Sequence, residues 1–226
     1  MTESDDYDSL VAKYRSLFDL PGCSEEIYLE AVSKCGSLLQ YIKDQTEAVC
    51  LAAVRQRGEA LVYVKNQTEE MCWEALKQTP HAYLYISNKT DEMRLEAVRK
   101  WGRNISYISP KNESYHQLCI EAVRQDGTVL EHIKNPSYDI CLEAVKQHGY
   151  ALIWIKEQTE ELCLEAVKNY GCALEFVKDQ TLEICLEAAY EDLSTIDNCI
   201  RDEEMKAKVC DMYREYRQMR IESEKK

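Results

Sequence analysis

Apolar residues in this chain recur with helical spacing, in short stretches that begin at a threonine or serine and end at a glycine. Around Cys163 the apolar side chains fall at i, i+1, i+4, i+5 and i+8, which places them on one face of a helix. Thr159 comes just before this stretch and is followed by two glutamates, a combination typical of a helix N-terminus. Gly171 ends it, and glycine there favours a left-handed C-terminal cap. The pattern predicts a helix of about ten residues.

A shorter apolar segment follows each glycine and predicts a second element. One copy reads ALVYVK over residues 60–65, where Ala60, Leu61 and Val64 share a helical face. The same letters also suit a short strand, because tyrosine and valine favour strands. A strand would make the chain a leucine-rich horseshoe, but the consensus L-x-x-L-x-L-x-x-N is missing. We therefore favour two short antiparallel helices per repeat.

These two elements repeat along nearly the whole chain. If the residue before Leu-Glu-Ala-Val or its variants is taken as a marker, successive markers are 22 residues apart, with one spacing of 25. The markers are Tyr28, Cys50, Cys72, Arg94, Cys119, Cys141, Cys163 and Cys185. A fixed period of this size indicates a solenoid, whose stacked repeats build a core that no repeat can build alone. The predicted fold is all-α, an α-solenoid of about eight 22-residue two-helix repeats with capping helices at both ends.

The two predicted capping helices have one apolar face each. The first has Leu10, Val11, Tyr14, Leu17 and Phe18 at helical spacing. The second has an apolar seam of Met205, Val209, Met212, Tyr216 and Met219. Terminal repeats need such polar-backed covers for solubility, although the second helix could instead bind a partner or form a coiled coil. We predict an N-terminal capping helix in residues 1–23, the repeat array in 24–200, and a C-terminal capping helix with a tail in 201–226.

The charge balance argues against several classes of partner. The 41 acidic and 28 basic side chains give a net charge of −13, which repels phosphate backbones and disfavours duplex nucleic acid. No run of 18 apolar residues occurs, so no membrane span is expected. The opening residues, MTESDDYDSL, are acidic and polar, unlike a signal peptide. These features predict a cytoplasmic protein.

Six of the eleven cysteines occupy the marker position. Equivalent positions in stacked repeats lie about 10 Å apart, whereas a disulfide needs Cα atoms within about 7 Å. No C-x-x-C pair and no Cys/His cluster with zinc spacing occurs. We expect reduced thiols packed between helices, with no metal and no cofactor; a thiol-based metal or redox site is the alternative.

The segment QTEELCLEAVKNYGCALEFVKDQT, residues 158–181, resembles a family of helical repeats of about 22 residues found in large DNA viruses and some bacteria. That family is catalogued as a domain of unknown function. The resemblance covers roughly residues 24–200, and the copies at Pro80 and Arg94 depart from the pattern. It implies an all-helical repeat with no catalytic residues to carry over. It also implies a virus or an intracellular bacterium as the source, with the host cytoplasm as the location if the protein is viral.

The repeat is irregular between residues 79 and 116. Thr79-Pro80 replaces the glycine, Arg94 replaces the cysteine, and a three-residue insertion follows. Neutral drift with a longer loop would explain this, as would a specific partner site. Interfaces are commonly anchored by aromatic residues and arginine. We therefore predict a partner-binding surface made by Tyr83, Tyr85, Arg94, Trp101, Arg103 and Tyr115.

No recognisable catalytic motif is present. The four histidines lie in no metal or triad motif, and the motifs G-x-x-x-x-G-K-[ST], G-x-S-x-G and H-E-x-x-H do not occur. The sequence predicts a protein that is not an enzyme but an interaction module or scaffold, whose rigid solenoid surface binds a protein or peptide. The alternative is an RNA or small-ligand binder that uses the basic run of the irregular repeats. That run comprises Arg94, Arg99, Lys100, Arg103 and Lys111.

Overall fold

The computed structural model describes residues 3–19 and 23–224, and every regular element in these two stretches is a helix. The α-helices α1 to α11 are Glu3–Phe18, Glu25–Lys34, Glu47–Gln56, Glu69–Gln78, Asp91–Lys100, Tyr115–Gln125, Tyr138–Gln147, Glu160–Asn169, Leu182–Glu191, Thr195–Asn198 and Glu203–Glu224. The 3-10 helices η1 to η7 are Gly36–Tyr41, Gly58–Tyr63, Pro80–Tyr85, Gly102–Tyr107, Gly127–His132, Gly149–Trp154 and Gly171–Phe176. The predicted all-α repeat fold is confirmed, since each of α2 to α8 is followed by one 3-10 helix.

In the seven repeats that begin with α2 to α8, the second element is a six-residue 3-10 helix, so the strand alternative is wrong. After α9 the short α-helix α10 takes its place. Residues three apart lie on the same side of a 3-10 helix. In η2 this places Leu61 and the following Val64 in the core, at 0% and 7% exposure. Tyr63, between them, ends the helix half-buried. The aromatic residue that ends η2 therefore lies at the margin of the core.

Threonine begins five of the α-helices as predicted. Each threonine hydroxyl oxygen accepts a hydrogen bond from the backbone N–H three residues further on. These residues are Thr46, Thr68, Thr90, Thr159 and Thr181. Ser24 and Ser137 occupy the same position with the same extended backbone, but their side chains accept no hydrogen bond from the helix. Serine therefore starts a helix here without capping it.

The repeated glycine has a different cause from the one predicted. The left-handed cap is wrong, because Arg57 before Gly58 is extended with φ −149° and Gly58 itself is not left-handed. A Cβ atom on Gly58 would lie only 2.7 Å from the carbonyl oxygen of Ala75 in the next repeat. Ala75 is itself fully buried. Two small residues thus let neighbouring repeats approach at a distance that a side chain would prevent. The same approach occurs at Gly36, Gly127, Gly149 and Gly171.

The chain divides into two compact units at Ile108–Ser109. In the first unit, α1 covers the first repeat as the predicted N-terminal capping helix. Its Tyr14 is 1% exposed and lies in one cluster with Ala31 and Leu38. The Tyr14 hydroxyl donates a hydrogen bond to Glu30 over 2.8 Å. Burial of the ring and this hydrogen bond fix α1 on the array.

In the second unit, α11 packs against α9 and forms the predicted C-terminal cap. Val209 is fully buried, and the Tyr216 ring lies 4.7 Å from the Tyr190 ring of α9. Met212 and Tyr216 remain 42% and 41% exposed, so only part of the predicted seam is covered. The side chain of Met219 lies outside the described residues.

The sequence of the longest helix, α11, is rich in charged residues. Among the helices in residues 3–19 and 23–224, none has both the length and the apolar character that crossing a bilayer requires.

Candidate functional site

Trp101 and Arg103, two of the predicted partner-binding residues, lie at an exposed margin of the first unit. Trp101 follows α5 with an extended backbone, and its ring centre lies 4.2 Å from that of His81 in η3, with the two rings tilted by 31°. His81 and Arg103 are exposed, and Trp101 is half-buried. We call these three residues the Trp101 patch. It combines an aromatic pair with a guanidinium group in adjoining repeats.

The other predicted residues of the first unit are less available. Tyr83 is 1% exposed, and its packing in the core removes it from the predicted surface. Tyr85 is half-buried at the end of η3. The half-buried Arg94 is paired with Asp91 over 2.7 Å. Of these three residues, therefore, only Tyr85 and Arg94 still offer accessible side-chain area.

Tyr115, the sixth predicted residue, belongs to the second unit, where it begins α6 half-buried. Burial, with a smaller contribution from the neighbouring Cys119, raises the pKa of its hydroxyl to about 12. The Tyr115 hydroxyl stays protonated at neutral pH.

A glutamine that sequence reasoning missed connects neighbouring repeats. The Gln67 side chain donates from Nε2 to the Leu61 carbonyl over 3.2 Å and to the Tyr85 carbonyl over 2.8 Å. Its Oε1 accepts from the backbone N–H of Ser87 over 2.9 Å. One half-buried carboxamide thus satisfies three backbone groups, one in its own repeat and two in the next. We call this arrangement a glutamine clamp.

The clamp recurs with a fixed register at Gln45, Gln67, Gln158 and Gln180. Each Nε2 donates to the carbonyl six residues before it and to the carbonyl 18 or 19 residues after it. Each Oε1 accepts the N–H 20 or 21 residues after it. The only sequence signal was a glutamine that recurs just before the capping threonine.

The marker cysteines are buried as predicted and stand beside the clamps. In three repeats the cysteine Sγ lies 3.8–3.9 Å from the Oε1 of the glutamine, at Cys50, Cys72 and Cys163. All eleven cysteines are free thiols. Burial raises the pKa of the marker thiols, to about 11 at Cys163 and Cys185. The described part of the chain holds no group of His, Cys, Asp and Glu suited to a metal ion.

Three consecutive repeats lack the clamp glutamine and carry Lys89, Ser114 or Pro136 in its place. The Lys89 Nζ donates to the Ile86 carbonyl and lies 5.0 Å from the centre of the Tyr83 ring. Burial, followed by the nearby Arg94, lowers the pKa of Lys89. In this repeat basic residues, Lys89 and Arg94, occupy the positions of the clamp glutamine and the marker cysteine.

At Pro136 the missing glutamine coincides with a cavity of about 640 Å³. Leu130, Cys141 and Trp154 contribute to its wall. Two cavities lie at equivalent places in other repeats, with volumes of about 480 and 400 Å³. Gln45 lines one and Gln158 the other. The larger volume at Pro136 is consistent with the absence of a clamp side chain.

Comparison with known proteins gives one match. Residues 137–182, which include α7 and α8, match the model of a domain of unknown function, DUF4116. No curated protein and no solved structure matches the chain. The matched stretch is part of the array, and it is consistent with the resemblance to a repeat family without an assigned activity.

Proposed function

We propose that this protein is a non-catalytic interaction module that binds a protein or peptide partner. The observation that carries the proposal is the Trp101 patch, where the rings of His81 and Trp101 are in contact and the exposed Arg103 follows two residues after Trp101. Tryptophan and arginine are the residue types most enriched at the centres of protein interfaces. Tyr85 and Arg94 are further candidates for the rim of this surface.

The carboxyl groups support a role other than acid–base catalysis. The carboxyls with shifted pKa values in the described residues are Glu30, Glu74, Asp139 and Asp192, and all four values are lowered. Hydrogen bonds from Lys34, Lys77, Ser137 and Ser194 are the largest causes, in that order. A carboxyl that acts as a general acid at neutral pH instead needs a raised pKa.

RNA binding by the basic run is less well supported. Arg94 is already paired with Asp91, and the Lys100 ammonium lies 3.6 Å from Glu96. Lys100 also donates to the Leu76 carbonyl over 3.0 Å. Cations that are held by carboxylates and carbonyls are less free to replace the counterions of a phosphate backbone.

Free thiols are typical of a reducing compartment. Eleven free cysteines therefore support the cytoplasm as the location, or the host cytoplasm if the chain is viral as its resemblance implies.

The test is selection of peptides from a displayed random library on the purified full-length chain, followed by calorimetry. We expect selected peptides to lose at least tenfold in affinity for the double variant Trp101→Ala with Arg103→Ala. The matched control is Lys146→Ala with Lys168→Ala, which alters the exposed charges of the regular repeats. Circular dichroism checks that both variants stay helical. Loss of binding in the control pair alone would instead assign the binding surface to the exposed charges of the regular repeats.

A further inference from the structure

We propose that the cavity at Pro136 binds the side-chain carboxamide of a glutamine in a peptide partner. This inference rests on the proposed peptide-binding function and assigns it a second site, in the second unit. The cavity is the place of a glutamine clamp whose own glutamine is missing. The other repeats of the same chain show which chemical group fills that place.

The register of the clamp identifies the three backbone groups that a carboxamide would bind at Pro136. In the next repeat Gln158 donates to the Leu152 carbonyl over 3.3 Å and to the Phe176 carbonyl over 3.0 Å. It accepts from the Lys178 N–H over 2.9 Å. The same offsets from Pro136 lead to the Leu130 carbonyl, the Trp154 carbonyl and the Lys156 N–H.

The residues that carry these groups surround the cavity. Leu130, Trp154 and Lys156 all line it. The Leu130 carbonyl accepts from the Ile133 N–H over 3.0 Å, as the Leu39 carbonyl of a clamped repeat accepts from Ile42, which leaves its second lone pair for a carboxamide. Within the part of the chain that the structure describes, no side chain bonds to any of the three. Proline has no side-chain donor or acceptor to offer them.

The charges around the cavity favour a neutral ligand. Two carboxylates, Glu131 and Glu157, and two ammonium groups, Lys134 and Lys156, line it, so their formal charges cancel. A phosphate or a free cation would therefore gain little net attraction. A carboxamide supplies the two donors and one acceptor that the backbone groups require, and it carries no charge.

The thiol and the aromatic residues complete the resemblance to a filled clamp. Cys141 is 5% exposed and lines the cavity. In three filled clamps the equivalent Sγ lies within 3.9 Å of the glutamine oxygen. Trp154 and Tyr138, the latter 44% exposed, provide apolar wall for the methylene groups of an incoming glutamine.

The backbone beside Pro136 is also unusual. Asn135 has φ 51°, and it is the one non-glycine residue with positive φ in the described stretches. Left-handed backbone at a non-glycine residue is uncommon, and such residues cluster at binding sites. This turn places a proline, whose side chain cannot reach the three backbone groups, where the four clamped repeats have glutamine.

The test is NMR titration of the full-length ¹⁵N-labelled chain with the tripeptide acetyl-Ala-Gln-Ala-amide. We expect shifts at the Lys156 amide and the Trp154 indole, with affinity of about millimolar because so small a ligand makes few contacts. The glutamate and alanine counterparts of the tripeptide should bind at least tenfold more weakly. Equal binding of all three peptides, or no shift at Lys156 with the glutamine peptide, would overturn the proposal.

Two variants make the test specific. P136Q supplies the missing side chain in cis, so we expect it to fill the cavity and abolish the shift at Lys156. Q158A should create an equivalent vacancy in the next repeat and add a peptide-dependent shift at Lys178, which keeps the test decisive if P136Q fails to fold. A P136Q variant that folds and still binds, or a Q158A variant with no new shift, would contradict the carboxamide assignment.

The two proposals fail in different ways. If library-selected peptides bind P136Q as tightly as the natural chain, the proposal of an interaction module is supported and the proposal of a carboxamide site is contradicted. If no library peptide binds but the glutamine tripeptide shifts the Lys156 amide signal, the carboxamide site is supported and the interaction module is contradicted.

Discussion

Replacing Gln67 with methionine should destabilise the first unit by about 3 kcal/mol. Methionine keeps the length of the side chain but has no amide, so the Leu61 and Tyr85 carbonyls and the Ser87 N–H lose a partner. Three hydrogen bonds at about 1 kcal/mol each give this figure. Gln67 is half-buried, so water reaches part of the site. The loss should therefore stay well below the roughly 9 kcal/mol that three fully buried, unpaired groups would cost at the upper limit.

Urea denaturation followed by circular dichroism measures the loss of stability, and hydrogen exchange of the Ser87 amide locates it. The matched control is Gln78→Met, because Gln78 is exposed at the end of α4, the helix that follows Gln67. We expect the control to change stability by no more than about 0.5 kcal/mol. Equal effects of the two substitutions, or full protection of the Ser87 amide in Gln67→Met, would refute the account of the clamp.

Three further predictions concern the repeat itself. Gly58→Ala should cost at least about 2 kcal/mol in urea denaturation, because its Cβ would lie 2.7 Å from the Ala75 carbonyl oxygen, whereas Val62→Ala, at a 49% exposed site, should cost much less. Thr159→Ala should lower stability by about 1 kcal/mol, and Ser137→Ala, which removes no cap bond, by less; equal losses would contradict the difference between the two caps. Burial raises the pKa of Cys119, Cys163 and Cys185 from 9.0 to about 11, so the folded chain keeps thiols neutral that ionise on unfolding. The stability that these neutral thiols contribute should therefore be fully present below pH 9 and should fall as the pH rises towards 11. Cys163→Ala should make this fall smaller. A urea midpoint that does not change with pH in this range would disprove the prediction.

The local chemistry of each repeat could be predicted because it depends on residues close in sequence. The threonine caps, the ten-residue helices and the buried marker cysteines follow from patterns within one copy. The role of glycine could not be predicted in this way. The atom that excludes a side chain at Gly58 is a carbonyl in the next repeat, and only three-dimensional packing brings it there.

The candidate site shows the same limit. Trp101 and Arg103 could be selected from residue type and from their place in the irregular zone, whereas the burial of Tyr83 required the packing of η3. The glutamines were overlooked because a polar residue before a helix is ordinarily solvated. Their hydrogen-bond partners lie up to 21 residues away in the sequence. The lack of a glutamine at position 136 therefore becomes informative only when the clamps of the other repeats are known.

Each glutamine clamp bonds to main-chain atoms of the following repeat, and the marker cysteine is the one side chain of that repeat that the described hydrogen bonds place beside it. The clamp therefore places little demand on the amino-acid sequence of its neighbour. A unit of 22 residues thus carries its own connector, and it can join any unit of the same backbone geometry. Units of this kind can be duplicated, deleted or reordered without compensating changes at each junction. The number of copies is then free to vary over generations, while single positions such as Pro136 specialise without breaking the periodicity.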